Sequence, residues 1–215
     1  ENISSIGSKI EILTLSGSNA YFGGLVGQNL GTISGVLKNQ NEDNSTTGES
    51  KIVFGSYIGN AGALTSVKIS AYGFNSGAIG GVVGLNETSG EIKNGYTVGE
   101  ITEKQNDTGI RLNNVGGVIG KNIYNETNVT ITLSGTYVGT IEFAGNVQLT
   151  NLKSAVQISA NENVGGITGV DENGIYAYCK YQILANYTYG INANDNVGGI
   201  IGNATNSKLE YCSVY

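Results

Sequence analysis

Short apolar runs alternate with polar, glycine-rich stretches along the whole chain, and no apolar spacing keeps to the helical period. The runs are rich in β-branched residues, as in Val129-Thr130-Ile131-Thr132 and Ile167-Thr168, and such runs favour strands. Five of them share one frame: a Gly pair, two mostly aliphatic residues and a third Gly. The copies are Gly23-Gly24-Leu25-Val26-Gly27, Gly80-Gly81-Val82-Val83-Gly84, Gly116-Gly117-Val118-Ile119-Gly120, Gly165-Gly166-Ile167-Thr168-Gly169 and Gly198-Gly199-Ile200-Ile201-Gly202. One variable residue and then Asn or Asp follow in four copies, at Asn29, Asn86, Asn122 and Asp171; in the fifth, Asn203 comes one place earlier. A polar stretch then leads to a new apolar residue (Ile33, Ile92, Tyr176, Leu209), and three places later stands a small or compact one (Val36, Gly95, Cys179, Cys212). Residues i and i+3 face opposite sides of a regular strand. If both point inward, a corner or bulge must separate them. The pattern predicts two or three strands per repeat, of roughly three to six residues each, separated by Gly and Asn corners that tolerate positive φ.

Successive Gly pairs lie 57, 36, 49 and 33 residues apart. A turn of about 30 residues fits the two shorter intervals directly. The interval of 57 reads as two turns, with Gly59-Asn60-Ala61-Gly62-Ala63-Leu64 as a degraded middle copy, and the interval of 49 as one turn plus an insertion. Self-similarity of this kind marks a repeat architecture in which each unit buries its core against its neighbours. The expected fold is all-β: a parallel β-helix, or β-solenoid, of roughly six or seven coils spaced about 4.8 Å apart. The repeats run from end to end without a linker, so residues 1–215 read as a single continuous segment. Leu25, Val82, Val118, Ile167 and Ile200 should fall on one lateral line, and Asn114, Asn163 and Asn196, each two places before a Gly pair, on another. Proline is absent, which suits a body whose backbone N–H groups bond to the next coil.

The Gly-Gly-aliphatic-aliphatic-Gly-x-Asn core with a downstream apolar-x-x-Cys resembles the GLUG repeat, and Glu210-Tyr211-Cys212-Ser213-Val214 and Tyr178-Cys179-Lys180 look like its Cys-containing strand. The resemblance begins near residue 20 and departs from the pattern at 37–77 and 142–160. It implies a right-handed β-helix in a large secreted or surface protein, of the kind found in adhesin-like proteins and in non-catalytic regions of IgA-specific metallopeptidases. It supplies no catalytic residue to carry over.

Charged residues make up 13% of the chain, half the usual share, and the net charge is −6 with a single Arg, Arg111. The absence of a basic stripe argues against a nucleic-acid footprint. No polybasic segment suggests attraction to an anionic membrane. The longest apolar stretches fall far short of the roughly 20 residues that cross a bilayer, so no membrane insertion is expected within this segment. Residue 1 is Glu, there is no Met, and the last residues stop partway through a repeat, which reads as a processed chain or part of a longer one.

Candidate chemistry is sparse. With no His and two Cys that stand apart, there is no zinc constellation. Asn194-Asp195-Asn196 and Asn161-Glu162-Asn163 offer an oxygen-rich site on one reading and polar corners on the other. The acids are dispersed rather than paired as glycosidic hydrolysis requires, so neither enzymatic activity nor a cofactor is expected. Cys179 and Cys212 are 33 residues apart, matching the Gly165-to-Gly198 interval, and should stack on adjacent coils, either as buried thiols or as a disulfide. Asn-x-Ser/Thr sequons begin at Asn2, Asn44, Asn86, Asn106, Asn125, Asn128, Asn186 and Asn203. Asn86, Asn106, Asn125 and Asn203 sit in polar segments where a glycan would project into water if the host has the pathway; incidental corner Asn is the other reading. Tyr is abundant, with Tyr176, Tyr178, Tyr181, Tyr187 and Tyr189 in one segment, suited to stacking on sugars, filling a protein interface or packing between coils.

These features converge on an extracellular structural or adhesive segment of a cell-surface protein: a stiff stalk that presents a recognition surface to a protein or glycan. Two alternatives stand beside it. One is a self-assembling filament or surface-layer subunit that binds copies of itself through open strand edges. The other is a non-catalytic region of a secreted peptidase or glycan-degrading enzyme.

Overall fold

The computed structural model describes residues 9–12, 20–34, 52–54, 67–74, 76–88, 90–105, 109–124, 132–133, 143–144, 148–183 and 190–215. Among them every regular element is a strand, and almost all belong to three parallel sheets. Thr132–Leu133 and Phe143–Ala144 form a separate antiparallel pair.

The first sheet is built by the residues that lead into the Gly pairs. Its five strands are Ala20–Gly23, Gly77–Gly80, Asn113–Gly116, Glu162–Gly165 and Asp195–Gly198, in that order. Gly23, Gly80, Gly116, Gly165 and Gly198 stand side by side in its register. Asn114, Asn163 and Asn196 form the expected line, each with a left-handed φ of 57°, 54° and 48°. Asn163 donates to Asn114 and Asn196 to Asn163, both at 2.9 Å. Asn favours this conformation because its short polar side chain can bond locally.

At the second Gly of each pair and the residue after it the chain bends, then enters the second sheet, whose strands are Val26–Asn29, Val83–Thr88, Ile119–Tyr124, Thr168–Glu172 and Ile201–Thr205. Hydrogen bonding between repeats continues through the bend. The N–H groups of Val118 and Ile119 both donate to Ile167 O at 2.9 Å, and those of Ile167 and Thr168 donate to Ile200 O at 3.0 and 2.9 Å. The bend brings backbones so close that a Cβ on Gly166 would lie nearer than 3.0 Å to Gly199 O and to the Tyr181 ring. Close approach is therefore what demands glycine there.

The third sheet has eleven strands. Glu91–Lys104 and Leu149–Ser159 pair in parallel from Ile92↔Leu149 to Thr102↔Ser159. These strands are much longer than the three to six residues expected. On its other edge Glu91–Lys104 is matched by three consecutive short strands, Thr32–Ser34, Ile52–Phe54 and Val67–Tyr72. This corrects the two-turn reading of the 57-residue interval. Gly23 pairs directly with Gly80, and the extra residues fall between short strands of one repeat. Gly59–Leu64, read as a middle copy, lies outside the described residues. The 49-residue interval is likewise one repeat, with Gly116 against Gly165 and its extra length between Tyr124 and Gln148. In each repeat the chain visits the three sheets in the same rotation, and among the described residues the first two sheets each contain five strands.

The core is two rows of stacked side chains. One contains Val82, Val118, Ile167 and Ile200 with Leu25 against them, together with Ile92, Leu149, Tyr176 and Cys179. The other contains Ile79, Val115 and Val164 with Ile69, Ile101 and Ile158. Register explains both rows: in parallel strands equivalent residues become neighbours, so an apolar position repeated in sequence becomes a continuous apolar line.

Candidate functional site

The Asn or Asp that follows each Gly frame points inward and forms a buried polar row. Asn29 donates to Asn86, Asn86 to Asn122, and Asn122 to Asp171, each at 2.7 Å. Every amide spends its second proton within its own repeat: Asn29 on Gly31 O, Asn86 on Gly90 O, both at 2.9 Å, and Asn122 on Gln148 Oε1 at 3.1 Å. The row therefore has one direction, with each oxygen accepting and each nitrogen donating onward. Asp171 ends it. Its carboxylate also accepts from Gly174 N at 3.0 Å, from the Tyr176 hydroxyl at 2.6 Å and from Ser207. The next register place is Ala204, and the Ser207 hydroxyl, three residues further on, donates to Asp171 from that side. Burial raises the Asp171 carboxyl above its ordinary value, and these hydrogen bonds oppose the rise. Burial and the neighbouring Asp171 push the Tyr176 hydroxyl well up.

This row overturns one expectation. Asn86 is completely buried, with both ends of its amide engaged, so no glycan on it could project into water. Asn203 is exposed, in the strand Ile201–Thr205. Asn106 and Asn125 lie outside the described residues. The acidic corners also prove to be built of amide rows. Asn194 donates to Asn161 and Asn161 to Asn113, both at 2.9 Å, beside the row through Asn163 and Asn196. Arg111 is held by Glu103 through two bonds of 2.8 and 2.7 Å.

The tyrosines divide into two sets. Tyr176 and Tyr181 are buried in the apolar row, where Tyr181 donates to Val156 O at 3.1 Å. Tyr178 and Tyr211 point outward, 46% and 56% exposed, and stack on each other with ring centroids 5.3 Å apart at 13°. Tyr187 and Tyr189 lie outside the described residues. Tyr178 and Tyr211 adopt left-handed φ angles of 57° and 51°, and Asn151 has 53° at the equivalent place one repeat earlier. This is the corner that the i and i+3 pattern required. It turns Tyr176 and Cys179 inward together, as it does Leu149 and Leu152, and sends the Tyr178 side chain at the corner out. Asn is at home in this conformation, whereas a bulky aromatic there is an outlier, and two successive repeats carry one. Beside them Lys180 Nζ sits 4.5 Å above the Tyr215 ring, itself 73% exposed. Composition shows tyrosine enrichment, but only the corner separates the rings that face water from those that fill the core.

Cys179 and Cys212 occupy equivalent corners between strands of the third sheet, with Tyr178 N donating to Glu210 O and Ser213 N to Cys179 O, both at 3.0 Å. Both are free thiols, Cys179 buried and Cys212 half-buried. Among the described residues no group of three His, Cys, Asp or Glu could hold a metal ion, and no helix is long and apolar enough to cross a membrane. The chain matches no family model, no curated protein and no solved structure.

Proposed function

We propose that the three sheets are faces of a right-handed parallel β-solenoid, and that this solenoid is a non-catalytic stalk and recognition segment of an extracellular, cell-surface protein. The observation that carries the architectural part is the unbroken register of all five Gly frames while the chain rotates through three sheets. The likeness to GLUG repeats points the same way. The recognition surface is the outward-facing corner of Tyr178 and Tyr211 with Lys180 and Tyr215. Aromatic faces flanked by hydrogen-bonding hydroxyls suit a glycan or a protein partner.

Binding of the purified chain to arrays of surface glycans and extracellular proteins tests this reading. Saturable binding is expected, reduced at least tenfold in the double variant Tyr178→Ser/Tyr211→Ser with strand content unchanged. Absence of any ligand, or binding indifferent to the double variant, overturns it. A second reading is self-assembly, in which copies of the chain bind one another through strand edges. Sedimentation over rising concentration separates the two, since a recognition segment stays monomeric while it binds.

A further inference from the structure

We propose that Cys179 and Cys212 are a dithiol site that closes into a disulfide between successive repeats on reaction with a small-molecule disulfide. This inference rests on sheet register and is independent of the adhesive reading. The backbones around the pair are already hydrogen-bonded at 3.0 Å, and the strands on either side pair in parallel, Ile175–Ala177 with Lys208–Glu210 and Lys180–Tyr181 with Ser213–Val214, so the two residues are held as neighbours at equivalent corners between them. Such strands lie about 4.8 Å apart, inside the roughly 4.4–6.8 Å Cα range that a disulfide spans. No loop has to move to make the two residues neighbours.

The two thiols are unequal. Cys212 is half-buried, and the neighbouring Cys179 brings its thiol down to about 7. Burial pushes Cys179 well up, so it holds its proton. Cys179 Sγ is enclosed, 3.7 Å from Leu149 O and 3.6 Å from Ala177 O. Cys212 is thus the attacking thiolate and Cys179 the resolving thiol, since nucleophilicity requires both thiolate character and access. In the first step Cys212 Sγ bonds to one sulfur of the small disulfide, the S–S bond breaks, and its other half leaves as thiolate. That thiolate takes the Cys179 proton. Cys179 Sγ then attacks Cys212 Sγ, and the second half leaves as thiolate and is protonated by water. The two cysteines are oxidised by two electrons and the small disulfide is reduced to two thiols.

The test uses the full chain and oxidised glutathione at mildly alkaline pH, followed by unfolding, alkylation and mass spectrometry. Both free thiols should be lost, the mass should fall by two hydrogens with no glutathione retained, and trypsin should release a cross-linked pair containing Cys179 and Cys212. Dithiothreitol should restore both thiols. In Cys179→Ser a stable glutathione adduct should remain on Cys212. In Cys212→Ser the enclosed Cys179 should react at least about tenfold more slowly than Cys212 does in the native chain. If either variant fails to fold, the peptide map of the native chain decides alone. Glutathione retained on Cys212 of the native chain, two unreacted thiols, or a disulfide between chains would each overturn the proposal.

Discussion

Replacing Gly166 with Ala should destabilise the protein by about 3 kcal/mol, although only one methyl group is added. The new Cβ would lie closer than 3.0 Å to Gly199 O and to Cγ and Cδ2 of Tyr181. None of these is the free end of a flexible side chain: Gly199 O is backbone, and the Tyr181 ring is buried with its hydroxyl on Val156 O. Two relaxations are open. Moving the next repeat away stretches the bonds from Gly166 N to Gly198 O, Ile167 N to Ile200 O and Thr168 N to Ile200 O, now 3.1, 3.0 and 2.9 Å. At roughly 0.5–1.5 kcal/mol net each, losing all three costs about 1.5–4.5 kcal/mol. Moving Tyr181 instead overpacks the core at about 1–3 kcal/mol. Gly31→Ala is the control, because a Cβ there meets nothing within 4 Å and Gly31 carries no left-handed φ; it should be neutral or stabilising by up to about 1 kcal/mol. Urea unfolding measures both variants. Hydrogen exchange adds a spatial readout: in a stack of repeats the damage should concentrate in strands beside residue 166 and spare those around 20–30. A Gly166→Ala cost under about 0.5 kcal/mol, within the usual range of surface substitutions, would refute the close-approach argument. Uniform loss of protection along the chain would refute the solenoid.

Three further outcomes are expected. Asn122→Leu should cost about 2–5 kcal/mol in denaturant unfolding, because it strips Asn86 of its acceptor and Asp171 of a donor inside the core, whereas Asn203→Ala, at an exposed position, should be nearly neutral. The folded-state value of Asp171 is raised, so its contribution to stability is full below the ordinary 3.8 and is lost as pH rises through the folded value; urea midpoints of the native chain relative to Asp171→Asn should therefore rise on acidification, and a flat difference would contradict this. In a host with an N-glycosylation pathway, glycopeptide mapping should find sugar on Asn203 and none on Asn86, and occupancy of Asn86 in the folded protein would contradict its place in the buried row.

The repeat was legible in the sequence because parallel stacking puts identical positions next to one another. The five Gly frames, the line of Asn114, Asn163 and Asn196, the apolar row from Leu25 to Ile200 and the pairing of Cys179 with Cys212 are all visible as equal offsets, and the sheets place them as neighbours. The need for a corner between Tyr176 and Cys179 was also readable, since two inward residues three apart cannot share one regular strand. Other features depended on what lies across from a residue. One repeat accommodates 57 residues because Glu91–Lys104 is long enough to pair three short strands in succession, and no local signal separates that from two turns. Asn86 and Asn203 carry the same sequon pattern, yet one is a rung of the inner row and the other faces water, a one-place shift that alternation along a strand turns into opposite faces. Ser207 completes the row at Asp171 from a different sequence position, and the left-handed corner alone decides that Tyr178 and Tyr211 face solvent while Tyr176 and Tyr181 fill the core. Sequence offsets determine which residues become neighbours along the stack; which way each one points is decided only when the corners and cross-strand partners are in place.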